Sequence, residues 1–272
     1  MVPQAVHGGM GDFQVSPLKR ASTICLVRQT DRLEVLMVRR PLTARFMPGV
    51  WVFPGGKVDE QDSEAPESFG GNDRDSDWKV AALRELIEET GLWLTTEGTL
   101  SRRVAGDVFE GVESSGRVLD QESLIYISNW ITPNPLPLRF DTRFFLAVTD
   151  ADAEASVDGD ELIDVRWIAP LEALRRDETG EWALAFPTRM VLHMLATGTS
   201  ATALAEEFRT LDIVPPIQPR LAVANGEVTI LLPGEPGFDD AEQSGEDSEV
   251  LSQLVEIAAR GGDVPAEFRT GQ

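Results

Sequence analysis

The sequence predicts a single domain of the α/β (α+β) class, a mixed sheet packed between helices. Three observations support this prediction. Short apolar runs typical of strands recur along the chain, amphipathic helical segments interrupt them, and the two types do not alternate regularly. Regular alternation would favour a doubly wound parallel sheet. With 272 residues the chain is long enough to bury a full core.

The first half of the chain carries turn signals between short apolar runs. Residues 1–17 are rich in Gly, Pro and polar residues, and we expect a flexible leader. Strands are predicted over 21–28 and 32–40, and the run 49–56 is a short strand cut by Pro54 and two glycines. Residues 57–77 are acidic and rich in Gly and Ser, so we expect an exposed surface loop over about 60–76.

A helix follows over 78–90, with Asp77 as its N-cap and Gly91 after its last residue. The domain should end near residue 235, and the acidic segment 236–272 should form a tail in which "LSQLVEIAAR" favours a short helix. The other predicted elements are strands at 122–131, 142–149 and 161–170, short helices at 171–177 and 187–198, and a hairpin at 220–234 with an Asn-Gly turn.

The charge balance restricts the partners. The chain has 24 basic and 46 acidic residues and a formal net charge of −22, which disfavours binding to nucleic acid or to anionic membranes. An anionic substrate would need metal ions or a local basic patch. No run is apolar for about 18 residues and the N-terminus does not resemble a signal peptide, so we expect a soluble cytoplasmic protein. Cys25 is the only cysteine, and we expect it to be buried in a strand.

Three glutamates share one face of the helix 78–90. On a helical projection Glu85, Glu88 and Glu89 lie opposite an apolar face made of Val80, Leu83, Leu86 and Ile87. Like charges three or four residues apart on a helix repel by about 0.2–0.5 kcal/mol per pair. A solvated face explains any single Glu. Three together favour a site for Mg²⁺ or Mn²⁺, which prefer oxygen ligands, bind diphosphates and activate water.

The same residues resemble the box of the Nudix hydrolases. "GG" at 55–56 and "RELIEETGL" at 84–92 match its pattern: G, five residues, E, seven residues, then R-E-U-x-E-E-x-G-U with U aliphatic. Gly56 and Arg84 are 84 − 56 = 28 positions apart where the family has 14, so the box contains 14 extra residues. The family's first Glu, a structural support, is replaced in register by Asp62 or lies within the insertion.

Three further segments are similar to the Nudix branch that includes the peroxisomal coenzyme A diphosphatases. They are "RFMPGVWVFPGGKVDEQD" at 45–62, "RFDTRFFLAV" at 139–148 and "ILLPG" at 230–234. The resemblance covers residues 18–235. It implies a Nudix-type mixed sheet sandwiched between helices, and a substrate class that reaches from coenzyme A derivatives to ADP-ribose and other linked nucleoside diphosphates.

The resemblance also implies the roles of particular residues. Glu85, Glu88 and Glu89 would bind Mg²⁺ or Mn²⁺, with one of them as the base for the attacking water, and Arg84 would orient a glutamate rather than form a surface salt bridge. The carbonyl of Gly55 or Gly56 would add a metal ligand. Family members often draw another acid from a distant loop. The first candidate here is Glu161 and the second Asp160, with a polar turn before a strand as the alternative.

Basic and aromatic residues are candidates for substrate contacts. The guanidinium fork suits phosphate oxygens, although each of these side chains could equally lie solvated on the surface. The phosphate candidates are Arg39, Arg40, Arg45, Lys57, Arg139 and Arg143. Trp51, Trp130 and Phe46 could stack on an adenine or belong to the core, and His7 and His193 are expected to be structural or disordered.

Two functions remain open from the sequence. The first is a metal-dependent pyrophosphohydrolase that cleaves a nucleoside diphosphate linked to another moiety by attack of water on phosphorus. The second is a Nudix-fold binding or regulatory module that does not hydrolyse its ligand. The three intact glutamates favour the enzyme. The expected partner is a small-molecule nucleoside diphosphate derivative, and a homodimer is left open.

Overall fold

A computed structural model describes residues 15–44, 47–71, 75–134, 136, 138–157, 159–224 and 227–241. The strands are β1 Leu18–Gln29, β2 Leu33–Arg39, β3 Trp51–Val52, β4 Gly55–Lys57, β5 Leu92–Thr95, β6 Gly98–Ser101, β7 Ile125–Ile131, β8 Arg139–Thr149, β9 Asp164–Ile168, β10 Pro216–Ile217, β11 Arg220–Ala224 and β12 Glu227–Leu231. The helices are α1 Ser76–Thr90, α2 Val108–Ser115, α3 Pro170–Glu178, α4 Phe186–Leu195 and α5 Ala201–Arg209.

The main sheet is mixed, as predicted. Its strands run in the order β10-β7-β8-β1-β2-β3, with β4 also paired to β1 and β9 to β2. The pairs β1–β8 and β10–β7 are parallel, and the other pairs in this sheet are antiparallel. Both faces are covered. On β1, Ile24 and Leu26 belong to the core on the α1 side, whereas Cys25 and Val27 belong to the core shared with α3, α4 and α5.

Helix α1 has the amphipathic arrangement that the sequence predicts. Val80, Leu83, Leu86 and Ile87 are buried in the core between the helix and the sheet. The helix ends at Gly91, whose φ of 70° is left-handed and whose N–H donates to the carbonyl of Ile87.

The start of α1 differs slightly from the prediction. The helix begins at Ser76, with Asp75 as N-cap, rather than at Trp78 after Asp77. Asp77 instead lies in the first turn and forms an ion pair with Arg20 at 2.9 Å. Two additional helical residues therefore precede the tryptophan.

Most described residues of the insertion are exposed or half-buried, as its composition predicts, but the segment has local structure. It contains two short 3₁₀ helices, Glu60–Glu64 and Glu67–Phe69. Asp62 is 2% exposed and Phe69 is fully buried against the α1 core. Composition does not reveal the burial of Asp62, because an acidic residue can be buried when a cation is paired with it.

The C-terminal part of the insertion is attached to the segment before β7. The side-chain amide of Gln121 donates to the carbonyls of Phe69 and Gly70 at 2.9 and 2.6 Å. The backbone N–H of Leu119 donates to the carbonyl of Ser68 at 2.7 Å. These contacts give the insertion a fixed path along the domain.

The remaining predictions have mixed outcomes. The strands and helices predicted between 122 and 198 are present with ends shifted by a few residues, whereas α2, α5 and the β5–β6 hairpin were not predicted. Cys25 is fully buried, as expected. Trp51 stacks on Trp182, and Trp130 packs edge-on against Phe186; both are core residues, so the adenine-stacking alternative is wrong for them.

Several predictions concern residues outside the described part of the chain. His7, Arg45, Phe46, most of the leader and the tail beyond 241 lie outside them. His193 is an exposed residue of α4. In the part of the chain that is described, no helix is long and apolar enough to cross a membrane. The cytoplasmic location stays a prediction.

Candidate active site

The candidate site lies where α1 faces β4. Strand β4 pairs with the start of β1, with Gly56 opposite Ser22 and Gly55 opposite Thr23, and this pairing brings both glycines beside the acidic face of the helix. A Cβ atom on Gly56 would lie 2.1 Å from Oε1 of Glu85. The backbone N–H of Gly55 donates to Oε2 of Glu89 at 2.9 Å. The glycines are therefore needed for this close approach of strand and carboxylates.

Arg84 connects the glutamates to the insertion. Its Nη1 donates to Glu85 Oε1 at 3.0 Å and to Glu88 Oε2 at 2.8 Å. Its Nε and Nη2 donate to the two oxygens of Asp62 at 2.8 and 3.1 Å. Nη2 also donates to the carbonyl of Lys57 at 2.9 Å. The side chain of Arg84 is only 9% exposed, so it is a buried centre of the cluster and not a surface salt bridge.

Asp62 takes the place of the family's first Glu. Its side chain is completely buried, and Oδ2 also accepts the backbone N–H of Asp59 at 2.8 Å. The sequence left open whether Asp62 or another residue of the insertion has this position. The contact with Arg84 favours Asp62 for this position.

The cluster holds more negative than positive charge. Asp62, Glu85 and Glu88 form ion pairs with the buried Arg84, and Glu89 lies beside them on the amide of Gly55. Burial raises the pKa of Glu85 to about 7, against the opposing effect of Arg84. Burial likewise raises the pKa of Glu88 and, well above its usual range, that of Glu89, where the charge of Glu85 adds to the effect. A further cation would relieve this unfavourable charge.

Two more predicted residues act on the same carboxylates. The negative charge of Glu161 raises the pKa of both Glu88 and Glu89, and the positive charge of Arg40 lowers that of Glu89. The loop before β9 and the end of β2 therefore face the last turn of α1. Asp160 is exposed next to Glu161.

The other phosphate candidates differ in their surroundings. Arg39 donates through Nε to the carbonyl of Gly49 at 3.2 Å, and Lys57 is exposed at the end of β4. Arg143 is bonded to Asp75 at 2.5 Å and its guanidinium lies 4.3 Å from the ring centre of Trp78. Trp78 precedes Glu88 by ten helical residues, or roughly 15 Å along the axis. Arg143 thus stabilises the start of α1, away from the glutamates.

Arg139 also has a structural environment. It is 6% exposed and donates to the carbonyls of Ser16 and Thr132 and to the side chain of Asn134. These contacts lie where β1 and β8 begin and β7 ends. A phosphate-binding role is therefore not supported for Arg139.

The side chains are not arranged around a common metal position. Among the described residues, no group of three or more His, Cys, Asp or Glu could hold a metal ion as placed. The contacts explain this: Glu85 and Glu88 both turn to Arg84, and Glu89 turns to the amide of Gly55. Each contact uses one oxygen of a carboxylate. The metal-ligand roles of these glutamates and of the Gly55 or Gly56 carbonyl stay predictions.

A cleft of about 400 Å³ lies elsewhere, between the insertion and the first turns of α1. Asp62, Glu67, Gly71, Ser76 and Asp77 are among its lining residues. None of the three glutamates of α1 lines this cleft, so we do not include it in the candidate active site.

Sequence reasoning missed Arg103. This residue lies after β6, and its guanidinium donates to the carbonyl of Glu88 at 2.6 Å and to that of Ser156 at 2.8 Å. Its separation in sequence from both partners leaves no local pattern that would reveal the contact.

Comparison with known proteins agrees with this geometry. The NUDIX domain model matches residues 18–186. A Caenorhabditis elegans protein provisionally named nudix hydrolase 7 is 30% identical over 233 residues, covering 81% of this chain and 74% of that protein. The acyl-coenzyme A diphosphatase NUDT19 of Gallus gallus is 26% identical over 304 residues, covering 85% of this chain and 80% of its own length.

A solved structure supports the same conclusion. The crystal structure of a NUDIX hydrolase from Alicyclobacillus acidocaldarius is 32% identical to this chain, with a TM-score of 0.61, and covers 74% of this chain and 99% of its own. The family match spans more than half of the chain and includes the glutamates, Arg84 and the glycines of β4. The chain therefore belongs to the NUDIX family and is a hydrolase that acts on phosphoric anhydride bonds.

Proposed function

We propose that the protein is a Mg²⁺- or Mn²⁺-dependent pyrophosphohydrolase that cleaves a diphosphate joining a nucleoside to a second moiety. The observation that carries this proposal is the cluster of Asp62, Glu85 and Glu88 on Arg84, with Glu89 bound to the amide of Gly55 on β4 beside it. Carboxylate oxygens are the ligands that these hard cations prefer, so the donor set fits the metal.

The residues of the cluster have distinct tasks in this proposal. Glu85, Glu88 and Glu89 hold the metal, with Glu161 as a further acid and the carbonyl of Gly55 or Gly56 as a backbone ligand. When bound, the metal neutralises diphosphate and lowers the pKa of a water molecule. One of the three glutamates accepts the proton of the attacking water. Arg84 orients Glu85 and Glu88, and Asp62 holds Arg84 in place.

Basic residues near the mouth of the site are the candidates for phosphate binding. Arg40 is supported by its electrostatic effect on Glu89; Arg39 precedes it at the end of β2, and Lys57 is exposed next to Gly56 at the end of β4. In a chain of net charge −22, such local cations would reduce the repulsion of an anionic substrate.

Among substrates we rank coenzyme A derivatives and other ADP-containing diphosphates first. The support is the resemblance to the coenzyme A diphosphatase branch, together with the name and length coverage of the relative from Gallus gallus. A panel of coenzyme A, acyl-coenzyme A, ADP-ribose, NADH, dinucleoside polyphosphates and nucleoside triphosphates, each with Mg²⁺ and with Mn²⁺, tests the ranking. Hydrolysis of simple triphosphates alone would overturn it.

Charge-neutralising variants test the metal site. Loss of one anionic ligand should remove several kcal/mol of metal-dependent stabilisation, so Glu88→Gln and Glu89→Gln should each lower turnover about 100-fold or more. Added Mn²⁺ should raise the melting temperature of the parent protein and do less for the variants. Glu178→Gln, an exposed change on α3, is the matched control. Near-parental turnover of both variants, or ligand binding without hydrolysis by the parent, would contradict the proposal.

A further inference from the structure

One arginine from outside the Nudix box joins the end of α1 to the loop that carries Glu161. We call the described residues 150–157 and 159–163, between β8 and β9, the acidic loop. Arg103 Nη1 donates to the carbonyl of Glu88 at 2.6 Å, and Nη2 donates to the carbonyl of Ser156 at 2.8 Å and, at a longer 3.5 Å, to that of Glu89. A single guanidinium therefore contacts the backbone of both segments.

The end of α1 needs such a cation. The last carbonyls of a helix have no partner within the helix, and they form the negative end of its dipole. Helix α1 has no basic residue in its last turn, although Glu88 and Glu89 both lie there. Arg103 supplies from another part of the chain the positive charge and the hydrogen-bond donors that the helix lacks.

Backbone hydrogen bonds attach the acidic loop on both sides of Glu161. The N–H of Ser156 donates to the carbonyl of Thr90 at 3.0 Å, beside the contact of Arg103. At the other end the N–H of Ile163 donates to the carbonyl of Arg39 at 2.9 Å. Glu161 lies between these attachments, and its charge acts on Glu88 and Glu89. The position of the loop thus determines how close the fourth acid comes to the helix.

We propose that Arg103 is a positioning residue that holds the acidic loop against the last turn of α1 and so places Glu161 beside Glu88 and Glu89. This inference rests on the proposed function, because the placement matters only if these acids share a metal. The guanidinium binds backbone carbonyls, so Arg103 acts through the loop rather than on the substrate. Without these contacts, replacing the exposed Arg103 side chain should have little effect on the protein.

The variants Arg103→Met, Arg103→Lys and Arg102→Met test this proposal. Methionine keeps much of the length and removes the donors, and lysine restores the charge with one donor group. Arg102 is the matched control: its carbonyl accepts from Trp93 and its N–H donates to Gly91, but these backbone contacts do not need its side chain. Glu161→Gln, alone and combined with Arg103→Met, completes a double-mutant cycle.

The expected results separate positioning from general stability. In EDTA, Arg103→Met should speed amide exchange at Ser156, while Arg102→Met should not. Mn²⁺ binding, followed by electron paramagnetic resonance without substrate, should weaken about fivefold in Arg103→Met, as expected for loss of exposed hydrogen bonds, and should recover partly in Arg103→Lys. The fall in kcat should exceed the change in KM. In the Glu161→Gln background, Arg103→Met should reduce the Mn²⁺ affinity by less than it does in the parent protein.

Opposite results would overturn the proposal. Unchanged exchange at Ser156 together with parental Mn²⁺ affinity in Arg103→Met would show that the loop does not depend on this arginine. An undiminished effect of Arg103→Met in the Glu161→Gln background would show that it does not act through Glu161. If Glu88→Gln weakens Mn²⁺ binding in the same experiment, only the role of Arg103 fails. If it does not, the metal site itself fails.

Discussion

Replacing Asp62 by alanine should cost the protein a large part of its stability. The side chain of Asp62 is fully buried, and both of its oxygens accept hydrogen bonds from Arg84, which is itself 9% exposed. Removing one partner of a buried ion pair typically costs about 3–5 kcal/mol. Arg84 keeps Glu85 and Glu88 as partners, so we expect the lower end of this range, about 3 kcal/mol. For a chain of this size that is a fall of about 6–12 °C in melting temperature.

Thermal unfolding in EDTA measures this effect without a contribution from bound metal. Glu64→Ala is the matched control, because Glu64 lies on the same 3₁₀ helix with an exposed side chain and should change stability by less than about 0.5 kcal/mol. Asp62→Asn keeps the volume and one acceptor, and should lie between the two. If Asp62→Ala melts at the same temperature as Glu64→Ala, the insertion is the loose surface loop that its composition suggests, and the buried pair contributes nothing.

Three further predictions follow from other parts of the molecule. Gly56→Ala should leave the melting temperature almost unchanged but lower metal-dependent turnover, because the atoms nearest to the new Cβ are the end of the Glu85 side chain. Gly55→Ala should be strongly destabilising, because its Cβ would lie 2.3 Å from the carbonyl oxygen of Ser22 at a φ of +153°. Equal losses of melting temperature in these two variants would contradict this reasoning. Burial raises the pKa of the Cys25 thiol well above its usual range, so Ellman's reagent should label no thiol in the native protein at pH 8 and one after unfolding in guanidinium. Gln121→Leu leaves the carbonyls of Phe69 and Gly70 without its amide and should cost about 1–3 kcal/mol in urea unfolding, whereas a parental unfolding curve would show that water replaces the amide.

Local patterns predicted the part of the site that lies on one helix. The spacing of Val80, Leu83, Leu86 and Ile87 defined the buried face of α1, and Gly91 marked its end. The same helical periodicity predicted which residues lie on the opposite face, and it gave the positions of the glutamates and Arg84 relative to one another. A helix permits this because side chains three and four residues apart are neighbours whatever the rest of the fold does.

Contacts between distant segments could not be predicted in the same way. Arg143 looked as suitable for phosphate as Arg40, and only the parallel register of β1 and β8 shows that it lies opposite Ser22 and beside Trp78. Arg103 contacts Glu89, which is 14 residues away in sequence, and Ser156, which is 53 residues away. Helix α5 is a different case. Its N-cap Ser200, whose Oγ accepts the N–H of Ala203, is a local signal that the prediction did not use.

The position of the additional residues explains how the box tolerates them. Asp62 follows Gly56 by six positions, the spacing that the family has between its glycine and its first Glu. Asp62 and Arg84 are 84 − 62 = 22 positions apart where the family has 8, so all 14 additional residues lie between the two members of the ion pair. Because Asp62 still binds Arg84, the two residues that flank the additional segment remain in contact. The additional segment itself passes through the buried Phe69, whose carbonyl accepts a hydrogen bond from Gln121. A change at Asp62 should therefore affect Glu85 and Glu88 through Arg84, whereas an exposed change elsewhere in the insertion has no such route to the glutamates.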